Sequence, residues 1–176
     1  LEGFKKNEKG ELLSGWTIEV RNVTGDLVDS SVTDQSGHWQ VCGLENGTYT
    51  VCEVTQPGWI QLDPPKCYNN TIAGMNISNL NFTNQKTYCV AGRKLNNITK
   101  EPLEDWTIII SNDTKSWKAQ TNSTGFWQVC GLGGGDYTVC EENRSGWKQV
   151  YPEGCYMIID LAAIIDNTGP ITGMDF

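Results

Sequence analysis

The chain carries one sequence pattern twice. Residues 37–59 read GHWQVCGLENGTYTVCEVTQPGW and residues 125–147 read GFWQVCGLGGGDYTVCEENRSGW, aligned without a gap 88 positions apart. The match reaches outward: Gly3 and Lys5 find Gly92 and Lys94, Trp16-Thr17-Ile18 finds Trp106-Thr107-Ile108, and Cys67-Tyr68 finds Cys155-Tyr156. A period this long marks a whole folding unit, since solenoid turns repeat every 20–50 residues or so. The 176 residues therefore predict two small domains, 1–86 and 87–176. Lys86–Cys89 leaves almost no linker between them, which predicts stiff coupling. Domains of this size bury only about 60–65% of the surface their unfolded chains expose, so covalent reinforcement is expected.

Composition narrows the setting. Charged residues make up 19% and the net charge is −8, with 13 Lys and Arg scattered without a cluster. That argues against nucleic acid as a partner, since a phosphate-binding face needs grouped cations. The longest apolar run, around Met157–Ile165, is interrupted by Asp160 and is too short to span a bilayer. Seven Cys with one His do not supply a Cys/His zinc framework, and no metal or cofactor is expected. They suit disulfides in an oxidising compartment. Asn-x-Ser/Thr occurs at Asn22, Asn46, Asn69, Asn76, Asn81, Asn97, Asn112, Asn122 and Asn143. One such site is weak, but nine point to N-linked glycans on an extracellular surface.

Strand patterns dominate the chain. Trp16–Val23, Leu27–Thr33, His38–Cys42, Thr48–Val54, Cys67–Ile72 and Ile77–Asn84 alternate or are rich in β-branched and aromatic residues. Turn signals such as Thr24-Gly25-Asp26 and Gln56-Pro57-Gly58 separate them. Met157–Ile165 is read as a strand because its counterpart Tyr68–Ile72 is one. The class is all-β, and strands at this spacing indicate a sandwich. Leu44-x-x-Gly47-x-Tyr49-x-Val51, repeated as Leu132-x-x-Gly135-x-Tyr137-x-Val139, has the form of a tyrosine corner.

Taken in order, Gly3-x-Lys5, Gly15-Trp16-Thr17-Ile18, Thr33-Asp34-x-x-Gly37-x-Trp39 and Leu44 through Trp59 closely resemble the SdrD-B/Cna-B-like (prealbumin-like) repeats of microbial surface proteins. The resemblance covers nearly the whole chain, twice. It implies two tandem transthyretin/Ig-like seven-stranded β-sandwich domains serving as stalk, spacer or shaft modules. The density of sequons points to the surface of an archaeon rather than of a Gram-positive bacterium. Members of the family can hold calcium in Asp-rich loops, but Asn7-Glu8-Lys9-Gly10 has Lys9 where such a loop needs a carboxylate.

Alternation locates a second feature. Tyr49 and Val51 face the core, so Glu53 faces it too; Leu80 and Phe82 point inward, and so does Asn84; Leu1, Gly3 and Lys5 share one face. Burying an unpaired charge is costly and favours the neutral form. A neutral Lys is a nucleophile, and a protonated Glu can polarise a carboxamide and shuttle a proton. Cna-B-like domains are known for self-formed isopeptide bonds, and Lys5, Glu53 and Asn84 match those positions by motif. The plainer alternative is a buried or half-exposed Lys–Glu ion pair near the domain end, with Asn84 in a turn. In the second unit Lys94 and Glu141 are in place, and the matching Asn falls two residues beyond Phe176.

The cysteines repeat as Cys42, Cys52, Cys67 and as Cys89, Cys130, Cys140, Cys155. If the strand at 48–54 pairs antiparallel with the one starting at Cys67, then Cys52 faces Cys67 and Cys140 faces Cys155. The preferred set adds Cys89–Cys130 and leaves Cys42 a partner outside the chain. The competing set joins Cys42 to Cys89 and leaves Cys130 over. The counterpart of Cys89 falls just before Leu1, so the chain reads as a window on a longer array.

Trp16, Trp39, Trp106 and Trp127 are read as core, while Trp59 and Trp147 follow a turn Gly and are candidates for stacking on sugar rings. His38 has Phe126 as its counterpart, so it is no catalytic residue. With no nucleophile–base constellation, an enzyme is not expected. The sequence favours a structural extracellular protein: a glycosylated, cross-linked rod segment of a stalk, sheath or filament. Its partners would be other copies or adjoining repeats. The alternative is an adhesin or carbohydrate-binding module.

Overall fold

Residues 1–168 and 171–176 are described by a computed structural model, in which the chain divides into two units, Leu1–Lys86 and Thr87–Phe176. The first unit has strands β1 (Glu2–Asn7), β2 (Thr17–Arg21), β3 (Leu27–Val32), β4 (His38–Gln40), β5 (Gly47–Glu53), β6 (Trp59–Asp63), β7 (Tyr68–Ile72) and β8 (Phe82–Lys86). They form two four-stranded sheets in the orders β4-β1-β8-β6 and β3-β2-β5-β7. Every pairing is antiparallel except β1 with β8, which run parallel.

Period-two patterning builds the core between the sheets. Along β2, Ile18 and Val20 are buried while Thr17, Glu19 and Arg21 are half-exposed. They join Val51 of β5 with Trp39 and Phe82 of the opposite sheet in one apolar cluster. Tyr49 closes one corner: its hydroxyl donates to the Glu45 carbonyl at 3.1 Å, so the ring stays buried without an orphaned polar tip.

The second unit has β9 (Tyr88–Arg93), β10 (Thr107–Ser111), β11 (Ser116–Gln120), β12 (Phe126–Leu132), β13 (Tyr137–Glu141), β14 (Tyr156–Ile158) and the helix α1 (Leu161–Thr168). Its sheets run β11-β10-β13-β14 and β12-β9. Residues 171–176 follow β9, with Ala91 N–H on the Ile171 carbonyl (3.1 Å) and Leu95 N–H on the Phe176 carbonyl (2.8 Å). Tyr137 repeats the corner by donating to the Gly133 carbonyl at 3.1 Å.

Two expectations are corrected. The count of seven strands becomes eight in the first unit and six in the second, among the described residues. The added strand of the first unit, β6, is held by its ladder to β8. The strand expected over Met157–Ile165 is only Tyr156–Ile158, and a helix follows. Asp160 Oδ1 accepts the Ala163 N–H at 3.2 Å, satisfying a donor of the first turn. Leu161-Ala162-Ala163 then supplies strong helix formers.

One repeated turn positions the site. Asp34 Oδ1 accepts the Ser36 and His38 N–H groups, and Gly37 N–H returns to the Asp34 carbonyl. Gly37 has φ +68°, and a Cβ there would lie 2.6 Å from the Lys5 carbonyl oxygen. Only glycine therefore lets the turn dock on β1, where Lys5 N–H donates to the Gly37 carbonyl at 2.8 Å. Asn122 and Gly125 rebuild the same turn over Lys94.

Candidate cross-linking site

Lys5 lies on β1, Asn84 on the parallel neighbour β8, and Glu53 at the end of β5 in the opposite sheet. The three meet inside the sandwich. Lys5 is 0%, Asn84 1% and Glu53 8% exposed. Glu53 spans the gap: Lys5 Nζ donates to its Oε2 at 2.7 Å, and Asn84 Nδ2 donates to its Oε1 at 2.6 Å. Asn84 Oδ1 is buried without a hydrogen-bond partner. Turning that carboxamide by half a revolution sets Oδ1 where Nδ2 now lies, 2.6 Å from Glu53 Oε1 and in line for a proton carried by Glu53.

Burial pushes the Lys5 ammonium below the ordinary 10.5, against the hydrogen bond and charge of Glu53, which raise it. Lys5 Nζ also sits 4.2 Å from the centroid of the Trp16 ring. Trp59 packs edge-on against Trp16 at 5.6 Å and is half-buried. Trp16 was expected only as core, and its contact with the ammonium is an addition. The signal for it lay in the repeat, where Trp106 accompanies Lys94. Thr33 is a second addition: its buried hydroxyl donates to the Leu13 carbonyl and accepts the Trp16 N–H, fixing the approach to the indole. Thr121 does the same for Trp106.

The second unit repeats two of the three groups. Lys94 Nζ contacts Glu141 Oε2 at 2.5 Å, with side chains 8% and 3% exposed. Its Nζ lies 4.8 Å from the Trp106 centroid, and Trp147 packs edge-on against Trp106 at 5.3 Å. Glu141 Oε2 has this ion contact but no well-directed hydrogen bond. Trp147 is 47% exposed.

Disulfides join Cys52 to Cys67, Cys140 to Cys155 and Cys89 to Cys130, and Cys42 is an exposed free thiol. The register explains the first two pairs. Val51 pairs with Tyr68 across β5 and β7, so the next rung sets Cys52 opposite Cys67; Val139 with Tyr156 does the same for Cys140 and Cys155. Of the nine sequon asparagines, Asn46, Asn69, Asn76, Asn97, Asn122 and Asn143 are exposed, and Asn22, Asn81 and Asn112 are half-buried. The Asn7–Gly10 turn is closed internally, since Asn7 Oδ1 accepts the Lys9 and Glu11 N–H groups. Among the described residues no three His, Cys, Asp or Glu side chains group as metal ligands. His38 is half-buried, its ring 5.2 Å from that of Phe4.

Residues 1–86 match the model of the SpaA family, described as a prealbumin-like fold domain. The chain is similar to staphylococcal serine-aspartate repeat-containing proteins. It is 26% identical over 191 residues to protein F of Staphylococcus epidermidis, covering 96% of this chain and 11% of that protein. With protein D of Staphylococcus aureus strain Newman it shares 26% over 165 residues, covering 80% of this chain and 12% of that protein. The chain thus spans about a tenth of these relatives' length. Among solved structures, a streptococcal ancillary pilin is similar at a TM-score of 0.47 and 14% identity, over 99% of this chain and 61% of that one. The shaft pilin SpaA of Lactobacillus rhamnosus GG is similar at a TM-score of 0.43 and 12% identity, over 99% and 95% of the two chains. No described helix is long and apolar enough to cross a membrane.

Proposed function

We propose that this chain is a structural rod segment of an extracellular stalk, sheath or filament at a cell surface, hardened by an isopeptide bond, disulfides and N-linked glycans. The observation that carries this reading is the buried Lys5–Glu53–Asn84 triad, which ties three strands of two sheets at one point. Lys5 Nζ attacks Asn84 Cγ; Glu53 takes the proton from Nζ and passes it to the departing Nδ2, which leaves as ammonia. The product is one amide joining β1 to β8, the strands that open and close the first unit. Each strand would then resist being drawn from the fold under load.

The disulfides act on other pairs of strands in the same sense: β5 is tied to β7's entry, β13 to β14's, and β9 to β12. Thiol pairs of this kind belong to oxidising compartments. Glycans on the exposed asparagines would cover strand edges that otherwise template aggregation. The sequon density favours an archaeal surface, with adjoining repeats or further copies as partners. The test is mass spectrometry of the reduced, unglycosylated protein. The bond predicts a loss of about 17 Da, one ammonia, assigned to a linked Lys5–Asn84 peptide. The full mass, with Lys5 and Asn84 in separate peptides, contradicts it.

A further inference from the structure

The two units differ on the outer face of one sheet. In the first, the outer side of β3-β2-β5-β7 is closed by polar pairs. Arg21 meets Glu19 at 2.7 Å, Thr50 Oγ1 donates to Asn69 Oδ1 at 2.9 Å, and the Thr48 and Thr71 hydroxyls meet at 2.8 Å. Asn69 also opens a sequon there. In the second unit the repeat sets Ile109 at the place of Glu19, Met157 at that of Asn69 and Ile159 at that of Thr71. Met157 and Ile159 are 77% and 68% exposed, and Ile109 is half-buried. None of the nine sequons begins in β10, β11, β13 or β14. Lys118 and Glu142 pair across this face at 3.1 Å, with side chains 60% and 50% exposed.

We propose that a second copy of the chain docks on this face, sheet to sheet and related by a two-fold axis. The occupant follows from where the charges stand. Ile109 lies opposite both Lys118 and Cys140, Thr107 is on the rung of Glu142, and Met157 lies opposite Thr138. Strands about 4.8 Å apart, rising about 3.4 Å per residue, turn these pairings into a flat grid. On it, the line from between Thr107 and Ile109 to between Met157 and Ile159 crosses midway between Lys118 and Glu142, at right angles to the line joining them. A two-fold axis along it lays Lys118 of each copy over Glu142 of the other. Ile109, Met157 and Ile159 fall within about 2 Å of the axis, so each packs against its own counterpart. An isologous contact needs this self-complementarity. The chain carries a net charge of −8 and its copies repel, whereas this face is apolar along the axis with one charge of each sign beside it. The contact does not depend on the rod reading, since it requires neither the isopeptide bond nor a glycan.

A face of four short strands buries less than the ~1,600 Å² of a standard interface, so the contact is weak and is read at high concentration. The test is sedimentation equilibrium of the whole unglycosylated protein up to about 1 mM, with Cys42 alkylated so that no intermolecular disulfide forms. The expected result is a reversible monomer–dimer equilibrium. Met157→Asn with Ile159→Thr installs the residues that the first unit carries at these places, and should raise the dissociation constant tenfold or so. Lys118→Glu should also weaken the dimer, and Lys118→Glu with Glu142→Lys should restore it, because the axis again brings opposite charges together. These exposed charges keep the test open if the first variant fails to fold. Three results overturn the proposal: a monomer throughout; parent-like association of the folded Met157→Asn/Ile159→Thr variant; or a double charge variant no better than the single one. None of them alters the mass test of the isopeptide bond.

Discussion

Lys5 Nζ lies 2.7 Å from Glu53 Oε2, and neither side chain is reached by solvent. A buried pair of this kind seldom adds stability beyond what apolar side chains of the same volume would give, because desolvation offsets the attraction. The pair nevertheless occurs in both units, and in the first the carboxamide of Asn84 donates to the far oxygen of Glu53.

The second unit isolates the energetics of the pair. Removing one partner leaves a buried charge uncompensated, so Glu141→Ala should cost that unit about 3–5 kcal/mol, while Lys94→Met with Glu141→Leu should be near neutral. Denaturant midpoints of the two variants decide this. Equal losses would mean that the pair itself is the stabilising feature.

Acidity should govern bond formation in the first unit. Burial holds the Lys5 ammonium below 10.5, so the neutral nucleophile becomes available at lower pH than on a free lysine. Cross-linking of freshly refolded protein, followed by mass, should speed up as pH rises and level off below 10.5. The sign for stability is the same. In an Asn84→Ala variant the unfolded chain binds more protons at this site than the folded one between the folded pKa and 10.5, so stability should rise with pH through that window. Denaturation midpoints that fall there would contradict the assignment.

Gly3 and Gly92 are fixed by close approach. A Cβ on Gly3 would lie 2.1 Å from the Leu80 carbonyl oxygen, and one on Gly92 lies 2.0 Å from that of Met174. Backbone cannot retreat as a flexible side chain can. Gly3→Ala should destabilise the first unit by about 1–3 kcal/mol or more, seen as an earlier thermal transition. An unchanged transition would show that β1 and the segment at Leu80 are farther apart.

Thiol chemistry tests the disulfide map. Cys42 is the exposed free cysteine, so native protein should take up one alkyl group, and six more only after reduction and unfolding. Replacing Cys52 and Cys67 with Ser opens a 15-residue loop and should cost on the order of 3 kcal/mol. Labelling at Cys130 would favour the competing connectivity.

Much of the site was legible because strand periodicity is rigid. Once Tyr49 and Val51 face inward, Glu53 must follow, and all three are buried. The strand β6 was not legible, because its pattern is inverted: Ile60 and Leu62 are 42% and 43% exposed while Gln61 is half-buried and donates to the Pro64 carbonyl. Only its distant partner β8 makes it a strand. The helix was hidden by the repeat itself, since Tyr68–Ile72 argued for a strand that Asp160 and Leu161-Ala162-Ala163 turn into a helix. Trp16 looked like core because β-periodicity does not distinguish an indole under apolar neighbours from one under an ammonium.

The proposed covalent bond in the first unit is tested most directly by the intact mass of the reduced recombinant chain beside its Lys5→Ala variant. The parent protein should be lighter than its sequence by about 17 Da, one ammonia, and the variant should have its full sequence mass. A parent protein at full sequence mass after prolonged folding would contradict it.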